Sequence, residues 1–321
     1  MFNKIRNCRI HLVLMLVLLG SVPIVTPVFA AGIIVNTVTD EDGTGANCSL
    51  REAITAANTD AAYGGCLAGS GSDTITLSAG IYTLTQGSQL PTVSTTIIIN
   101  GNSATVQADT TAGTATYRVF EVIGGGGNLT IKDLTVRNGN CANAFSCDSV
   151  DDSGNKRGYG GGILNSGTLT VNNSFITANS AAGSGGGIYS WGGTLNVING
   201  STFFSNSATS GDGGGIGGDG AITLTNMIFS TNSALNGGGI STSGGSLNVT
   251  GSLFSTNSAT GGSGTGGGIV SSGTLNVKTS SFHDNSAARG GGIFNGGGTN
   301  SYVSNSTFYL VESLNHVPVA L

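Results

Sequence analysis

Residues 213–234, GGGIGGDGAITLTNMIFSTNSA, contain one complete copy of the pattern that repeats along this chain. A Gly-Gly-Gly-Ile tetrad opens the segment, the alternating run Ile222-Thr223-Leu224 follows, and Phe229 stands three residues before Asn232, which precedes Ser-Ala. The tetrad occurs six times, with its isoleucines at Ile163, Ile188, Ile216, Ile240, Ile269 and Ile293. The chain after residue 160 is therefore a series of repeats of 24 to 29 residues.

Each repeat also carries an alternating strand and an apolar residue three positions before an asparagine. These pairs are Ile176/Asn179, Phe203/Asn206, Phe229/Asn232, Phe254/Asn257 and Phe282/Asn285. Two or three short strands of period 2 in so few residues, without helical periodicity, predict one coil of a parallel β-solenoid, in which corresponding residues stack. We expect an interior apolar ladder, an asparagine amide ladder, and glycine corners with positive φ or close coil approach.

The composition supports an all-β protein. The chain has 321 residues, of which 38% are hydrophobic and only 8% charged, so it differs from disordered chains, which are rich in charge. Its 56 glycines follow no strict three-residue period, and Pro91 and Pro318 are the only prolines after residue 30, which excludes collagen. Small, β-branched and turn-forming residues replace the helix formers.

Less regular strand patterns extend the solenoid toward the N-terminus, and we assign residues 74–308 to it. Residues 140–158 interrupt the rhythm with a polar stretch containing Asp148, Asp151 and Asp152, which predicts an inserted surface loop. Residues 309–321 no longer follow the repeat, and we expect an irregular or truncated tail there.

Residues 1–30 have the pattern of a secretory signal peptide. Three cations, Lys4, Arg6 and Arg9, precede the apolar run 12–19, and Val28-Phe29-Ala30 supplies small residues for cleavage. A membrane anchor is the alternative, but the apolar run is short. We expect a secreted or cell-surface protein without a transmembrane segment after cleavage.

Loss of the three cations Lys4, Arg6 and Arg9 makes the net charge more negative than −5, which disfavours nucleic acid as a partner.

Four cysteines remain after residue 30. An even number in an exported chain indicates disulfides, and the local pairing Cys48–Cys66 and Cys141–Cys147 is favoured among three connectivities, because each pair brackets one short segment. A zinc site is the competing interpretation, but the chain has no CxxC motif. We expect no metal site and no cofactor.

Residues 31–73 form an N-terminal cap segment. Ser49 and Glu52 have the spacing of a capping box, and Leu50, Ala53 and Ile54 fall on one face of a helix that reaches about Asn58. Such a helix covers the open apolar end of a solenoid.

The run Cys48-Ser49-Leu50-Arg51-Glu52-Ala53 resembles the CSLREA-motif proteins, bacterial exported chains in which this segment heads a right-handed parallel β-helix. The Gly-Gly-Gly-Ile and Phe-x-x-Asn elements are similar to the GGA[ILV] and FxxN repeats of polymorphic outer-membrane proteins, with Gly in place of Ala. Together the resemblances cover about residues 33–308. They imply a right-handed parallel β-helix, capped by a short helix and displayed at or released from the cell surface, with an adhesive role.

Enzymatic cleavage of an acidic polysaccharide is the alternative function. A galacturonase-like site needs paired carboxylates, and Asn58-Thr59-Asp60 and Asp151-Asp152 occur in the expected order, but no Gly-His follows. The repeats between residues 160 and 300 hold only five Asp, Glu, Lys or Arg residues: Asp212, Asp219, Lys278, Asp284 and Arg289. The acidic run Asp40-Glu41-Asp42-Gly43 is a possible calcium ligand set, but a solvated turn is favoured. The sequence thus favours a module without catalytic residues, and a purely structural spacer is the third possibility.

Tyr189 and Trp191 are the candidate ligand-binding residues. If Ile188 points inward, alternation places both aromatic side chains on one solvent face about 7 Å apart, where they can stack on sugar rings. The expected partner is an extracellular polysaccharide or another cell surface. Two aromatic side chains that merely cover a loop are the alternative interpretation.

Overall fold

The computed structural model describes residues 32–111, 116–141, 147, 158–297, 300–310 and 312–313. In this part of the chain one α-helix, α1 (Leu50–Thr59), accompanies 31 β-strands. The expected signal peptide and most of the 140–158 insertion, including Asp148, Asp151 and Asp152, lie outside the described residues.

The strands are short and follow one another in a fixed order. The N-terminal part contains β1 (Gly32–Ile34), β2 (Asp73–Thr76), β3 (Ile81–Leu84), β4 (Thr96–Ala108), β5 (Phe120–Val122), β6 (Asn128–Arg137) and β7 (Asn140–Cys141). The first repeats contain β8 (Ile163–Asn165), β9 (Thr168–Asn172), β10 (Phe175–Thr177), β11 (Ser180–Ala181), β12 (Ile188–Ser190), β13 (Thr194–Ile198), β14 (Thr202–Phe204), β15 (Ser207–Ala208), β16 (Ile216–Gly218), β17 (Ala221–Thr225), β18 (Ile228–Ser230) and β19 (Ser233–Ala234). The last repeats contain β20 (Ile240–Thr242), β21 (Ser246–Thr250), β22 (Leu253–Ser255), β23 (Ser258–Ala259), β24 (Ile269–Ser271), β25 (Thr274–Lys278), β26 (Ser281–His283), β27 (Ser286–Ala287), β28 (Ile293–Asn295), β29 (Tyr302–Ser304), β30 (Thr307–Tyr309) and β31 (Glu312–Ser313).

Successive coils pair in parallel, which confirms the predicted all-β parallel solenoid. The solenoid has about eight coils. Sheet A has 17 strands and takes two strands from each repeat, such as β9 and β10. Sheet B consists of seven short strands, among them β11 and β15. Sheet C also consists of seven strands, among them β8 and β12. Strand β31 continues sheet B by pairing with β27, although the sequence there has lost the Asn-Ser-Ala pattern.

Two side-chain ladders fill the interior in the predicted register. The rings of Phe203, Phe229, Phe254, Phe282 and Phe308 stack with centroids 4.7–4.8 Å apart. The asparagine ladder runs beside them: Asn206 Nδ2 donates to Asn232 Oδ1 at 3.0 Å, and Asn232 Nδ2 donates to Asn257 Oδ1 at 2.9 Å. Asn232 Nδ2 also donates to the Phe203 carbonyl at 3.0 Å, so these buried amides are satisfied by neighbouring coils.

The three glycines of a tetrad serve different purposes, as the tetrad 213–216 shows. Gly213 has a φ of 72°, which L side chains rarely adopt. A Cβ on Gly214 would overlap the backbone of Ser233 in sheet B. A Cβ on Gly215 would lie 3.0 Å from Cδ1 of the Phe229 ring. The tetrad is therefore a corner that turns the chain and also lets it lie directly against the phenylalanine ladder.

Helix α1 caps the solenoid and confirms the predicted capping box. Ser49 Oγ accepts from the Glu52 N–H at 3.2 Å, and the Ser49 N–H donates to Glu52 Oε2 at 3.0 Å. Leu50, Ala53 and Ile54 are buried in the core shared with the first coils. Cys48 lies next to the N-cap, and its Cα is 4.5 Å from that of its disulfide partner Cys66.

Arg51 joins the cap to the first coils through a buried ion pair. Its Nε donates to Asp40 Oδ1 at 2.8 Å and its Nη2 to Asp40 Oδ2 at 3.0 Å, while its Nη1 donates to the Gln89 carbonyl at 2.7 Å. Asp40 Oδ2 also accepts from the backbone N–H groups of Thr85 and Gln86. All six residues of the segment 48–53 thus have structural roles in the cap.

We predict that Phe203→Ala lowers the free energy of unfolding by about 3–5 kcal/mol, because it leaves a cavity inside the stacked ladder. Its neighbour Phe204 is the matched control, since it is 47% exposed and Phe204→Ala should change stability by less than about 1 kcal/mol. Chemical denaturation of the two variants provides the measurement. Equal losses would contradict the assignment of Phe203 to the interior.

Arg51→Ala should destabilise the protein by about 3–5 kcal/mol, because it leaves the Asp40 carboxylate buried without its partner. Arg289, which is exposed, gives the control variant Arg289→Ala. Thermal unfolding followed by circular dichroism measures both. If the two variants unfold alike, the cap does not depend on this ion pair.

Candidate functional site

The outward face of sheet C carries the two aromatic residues predicted from the sequence. In strand β12, Ile188 and Ser190 are buried, whereas Tyr189 is half-buried. Trp191 follows the strand and is also half-buried. The predicted alternation is therefore present, and both side chains lie on the outer side of the sheet.

A third ring, Tyr159, changes the geometry expected for this pair. Its ring stacks on that of Tyr189 with a centroid distance of 4.4 Å and an interplanar angle of 10°. The Trp191 indole stands nearly perpendicular to Tyr159, at 81° and 6.2 Å. Tyr159, Tyr189 and Trp191 thus form an aromatic cluster with a stacked pair and an edge-on indole, rather than a flat platform of two rings. The sequence signal for Tyr159 is its position immediately before the first tetrad.

Glycines in the neighbouring coils make room for the cluster. A Cβ on Gly217, which pairs with Tyr189, would lie 3.1 Å from Cδ2 of the Tyr189 ring. A Cβ on Gly183 would lie 2.8 Å from Cδ1 of Tyr159. Both rings therefore lie directly on backbone, which keeps them half-buried and restricts their motion.

A charged network holds the N-terminal side of the cluster. The buried Arg118 donates from Nη2 to the Tyr159 carbonyl at 3.1 Å and from Nη1 to Gln89 Oε1 at 3.1 Å. Its Nη1 also lies 3.3 Å from Glu121 Oε2. Glu121 pairs with Leu164, which pairs with Tyr189, so this carboxylate belongs to the same column of sheet C.

Two aspartates border the opposite side. Asp219 Oδ1 accepts from the Gly192 N–H, next to Trp191, at 2.7 Å. Asp212 Oδ1 accepts from Asn236 Nδ2 at 2.9 Å, and the Asp212 carbonyl accepts from Gly185 N–H at 3.0 Å. Each carboxylate has further lone pairs, so the cluster combines aromatic surface with acceptors suited to hydroxyl groups.

Three other residues weighed for chemistry, Asn58, Asp60 and Asp42, have structural partners. Asn58 Oδ1 accepts from the Ser94 N–H at 3.0 Å, and Asp60, the C-cap of α1, accepts from the Gly71 N–H at 2.9 Å. Asp42 accepts from the Tyr63 hydroxyl at 3.0 Å, and this hydrogen bond and the carboxylate charge raise the pKa of Tyr63. Among the described residues, no three His, Cys, Asp or Glu side chains are grouped as a metal site would require.

The cysteines pair as the sequence predicted. In the second pair, the Cα atoms of Cys141 and Cys147 are 5.5 Å apart, and Cys141 Sγ lies 3.6 Å from the Gly160 carbonyl, beside Tyr159. Cys141 thus lies next to the aromatic cluster. In the described part of the chain, no helix has the length and apolar character needed to cross a membrane.

Comparison with protein-family models, with curated proteins and with solved structures yields no match.

Proposed function

We propose that this chain is a secreted or cell-surface β-solenoid module without catalytic activity, which binds carbohydrate through the aromatic cluster and serves in adhesion. The observation that carries the proposal is the cluster itself: three aromatic rings are fixed on a rigid sheet between Arg118 and Glu121 on one side and Asp212 and Asp219 on the other. Aromatic surface with a few fixed polar groups is typical of sites that bind small polar ligands.

Two disulfides support export, since such bonds persist in oxidising compartments. The charged pattern of residues 1–30 and the resemblance of residues 48–53 to exported CSLREA-motif chains point the same way. Every residue of that six-residue run serves the cap, so the motif is explained as a device for closing a solenoid and needs no catalytic role.

The placement of the charged residues favours binding over cleavage. Glycoside hydrolysis uses two carboxyl groups that flank one bond. Here Asp40 is paired with Arg51 and Asp60 caps α1, while Asp212 and Asp219 bond to separate coil corners. The two alternative functions are a polysaccharide lyase or hydrolase and a purely structural spacer, and the experiment below distinguishes both from carbohydrate binding.

Trp191 is the only tryptophan of the chain, so its fluorescence reports on the cluster alone. We predict that an oligosaccharide bound by the protein on a glycan array changes this fluorescence on titration. If each ring contributes about 1 kcal/mol, as aromatic contacts do, the Tyr189→Ala/Trp191→Ala variant binds that glycan roughly 30-fold more weakly. Multivalent display on the array compensates for weak single-site affinity.

Tyr302→Ala is the matched control, because Tyr302 is exposed on sheet A and contacts Lys278 rather than the cluster. Unchanged glycan binding by the double variant, with unchanged thermal unfolding, would overturn the proposal. Release of unsaturated products or new reducing ends from polygalacturonate or alginate would instead establish the enzyme. Binding to no glycan on the array would favour the spacer.

A further inference from the structure

Sheet A has a second outward face, formed by the strands that carry the phenylalanine ladder. Each of these strands has three residues, and the middle one points inward: Ile176 in β10, Phe203 in β14, Phe229 in β18 and Phe254 in β22. The residues before and after it therefore form two outward columns. The first column is Phe175, Thr202, Ile228 and Leu253, and the second is Thr177, Phe204, Ser230 and Ser255.

Large apolar side chains occupy part of both columns and are exposed to solvent. Phe175 is 53% exposed, Phe204 47% and Ile228 39%, and Leu253 beside them is half-buried. Phe204 lies one coil along and two residues across from Phe175, and Ile228 stands in the same relation to Phe204. With coils roughly 4.8 Å apart and about 3.3 Å per residue, Phe175, Phe204 and Ile228 form a zigzag with neighbours about 8 Å apart. We call these three residues, with Leu253 and the positions between them, the outer strip.

The outer strip is uncharged. Its partly exposed positions also hold Thr177, Thr202 and Ser230, whose hydroxyl groups both donate and accept hydrogen bonds, whereas Ser255 is buried. Ionisable residues border the strip at its two ends. Arg137 pairs with Thr177 at one end. At the other end His283 pairs with Ser255 and contacts Asp284. A charged partner would find no complementary group along these four strands, so an uncharged ligand is favoured.

The size of the outer strip argues against a second protein as the occupant. A whole aromatic side chain has about 200 Å² of surface, so the exposed apolar part of the strip amounts to roughly 300 Å². A stable protein interface buries about 800 Å² on each partner. The strip is narrow and flat, and its side chains repeat at the coil spacing of about 4.8 Å. It therefore suits a linear polymer whose repeating unit has about the same length.

We propose that the outer strip (Phe175, Phe204, Ile228 and Leu253) binds an extended, uncharged polysaccharide that runs along the solenoid axis. The apolar faces of its sugar rings stack on Phe175 and Phe204, and its hydroxyl groups bond to Thr177, Thr202 and Ser230. The backbone is fixed by pairing on both sides, so binding orders few protein groups. This site extends the proposed function to a different sheet and does not depend on the aromatic cluster of sheet C.

The test is affinity electrophoresis of the protein in gels that contain hydroxyethyl cellulose, xyloglucan or galactomannan, with polygalacturonate as the charged comparison. We expect retardation by at least one neutral polymer, little by polygalacturonate, and no change of Trp191 fluorescence on titration with that polymer. Phe175→Thr/Phe204→Thr should weaken the retardation at least tenfold. Threonine preserves strand propensity at these exposed positions, and unchanged thermal unfolding confirms that the variant is folded.

Two further variants separate this site from the aromatic cluster. Tyr302→Thr removes another exposed aromatic side chain of sheet A and should retain full retardation, as should Trp191→Ala. The inference is overturned if no neutral polymer retards the protein, or if the Phe175/Phe204 variant is retarded like the wild type. It is also overturned if that variant abolishes a concentration-dependent dimer in size-exclusion chromatography. If only Trp191→Ala loses retardation, the polymer binds at the aromatic cluster. That result would support the proposed function and contradict a second site at the outer strip.

Discussion

Successive coils pair in parallel and in register, and this pairing limits which side chains each position can carry. Each residue of a repeat lies about one strand spacing from its counterpart in the next repeat, so a side chain that suits one coil must suit the whole column. Phenylalanine meets this condition by stacking its rings at 4.7–4.8 Å. Asparagine meets it because its amide both donates and accepts, so that each buried copy satisfies the next.

The same constraint explains the glycine tetrads and the cap. A coil corner that lies against both sheet B and the phenylalanine ladder has no room for side chains, and Gly213 also needs a positive φ. In the described part of the chain no coil precedes the first one, and α1 covers it through Leu50, Ala53 and Ile54. The bidentate pair of Arg51 with Asp40 then fixes the helix to loops of the coils that it covers.

The candidate binding features are the places where columns depart from the repeat. The Tyr159 ring lies over Gly183 and the Tyr189 ring over Gly217, each in a neighbouring coil, and Trp191 contacts Tyr159 edge-on. Phe175, Phe204 and Ile228 stand in outward columns that carry Thr177, Thr202 and Ser230 in the neighbouring coils. A solenoid tolerates such departures on its surface because outward side chains are not confined by the interior ladders, and they give individual coils properties that the repeat lacks.

The sequence alone predicted the solenoid and the inward phenylalanine and asparagine columns, because period-2 alternation and a fixed repeat length specify which residues stack. The spacing of Ser49 and Glu52 predicted the capping box, and the short segments between the cysteines favoured the local pairs among three connectivities. The sequence also placed Tyr189 and Trp191 on one outward face. Only the tertiary structure showed that Tyr159 stacks on Tyr189, that Arg51 pairs with Asp40, and that Phe175 and Phe204 lie on adjacent coils of one exposed strip. Those contacts join residues from different coils or loops, and the variable turns between asparagine and tetrad, together with side-chain rotamers, decide which of them meet. Repeat periodicity predicts the column of a residue, whereas contacts between unlike columns depend on the path of the folded chain.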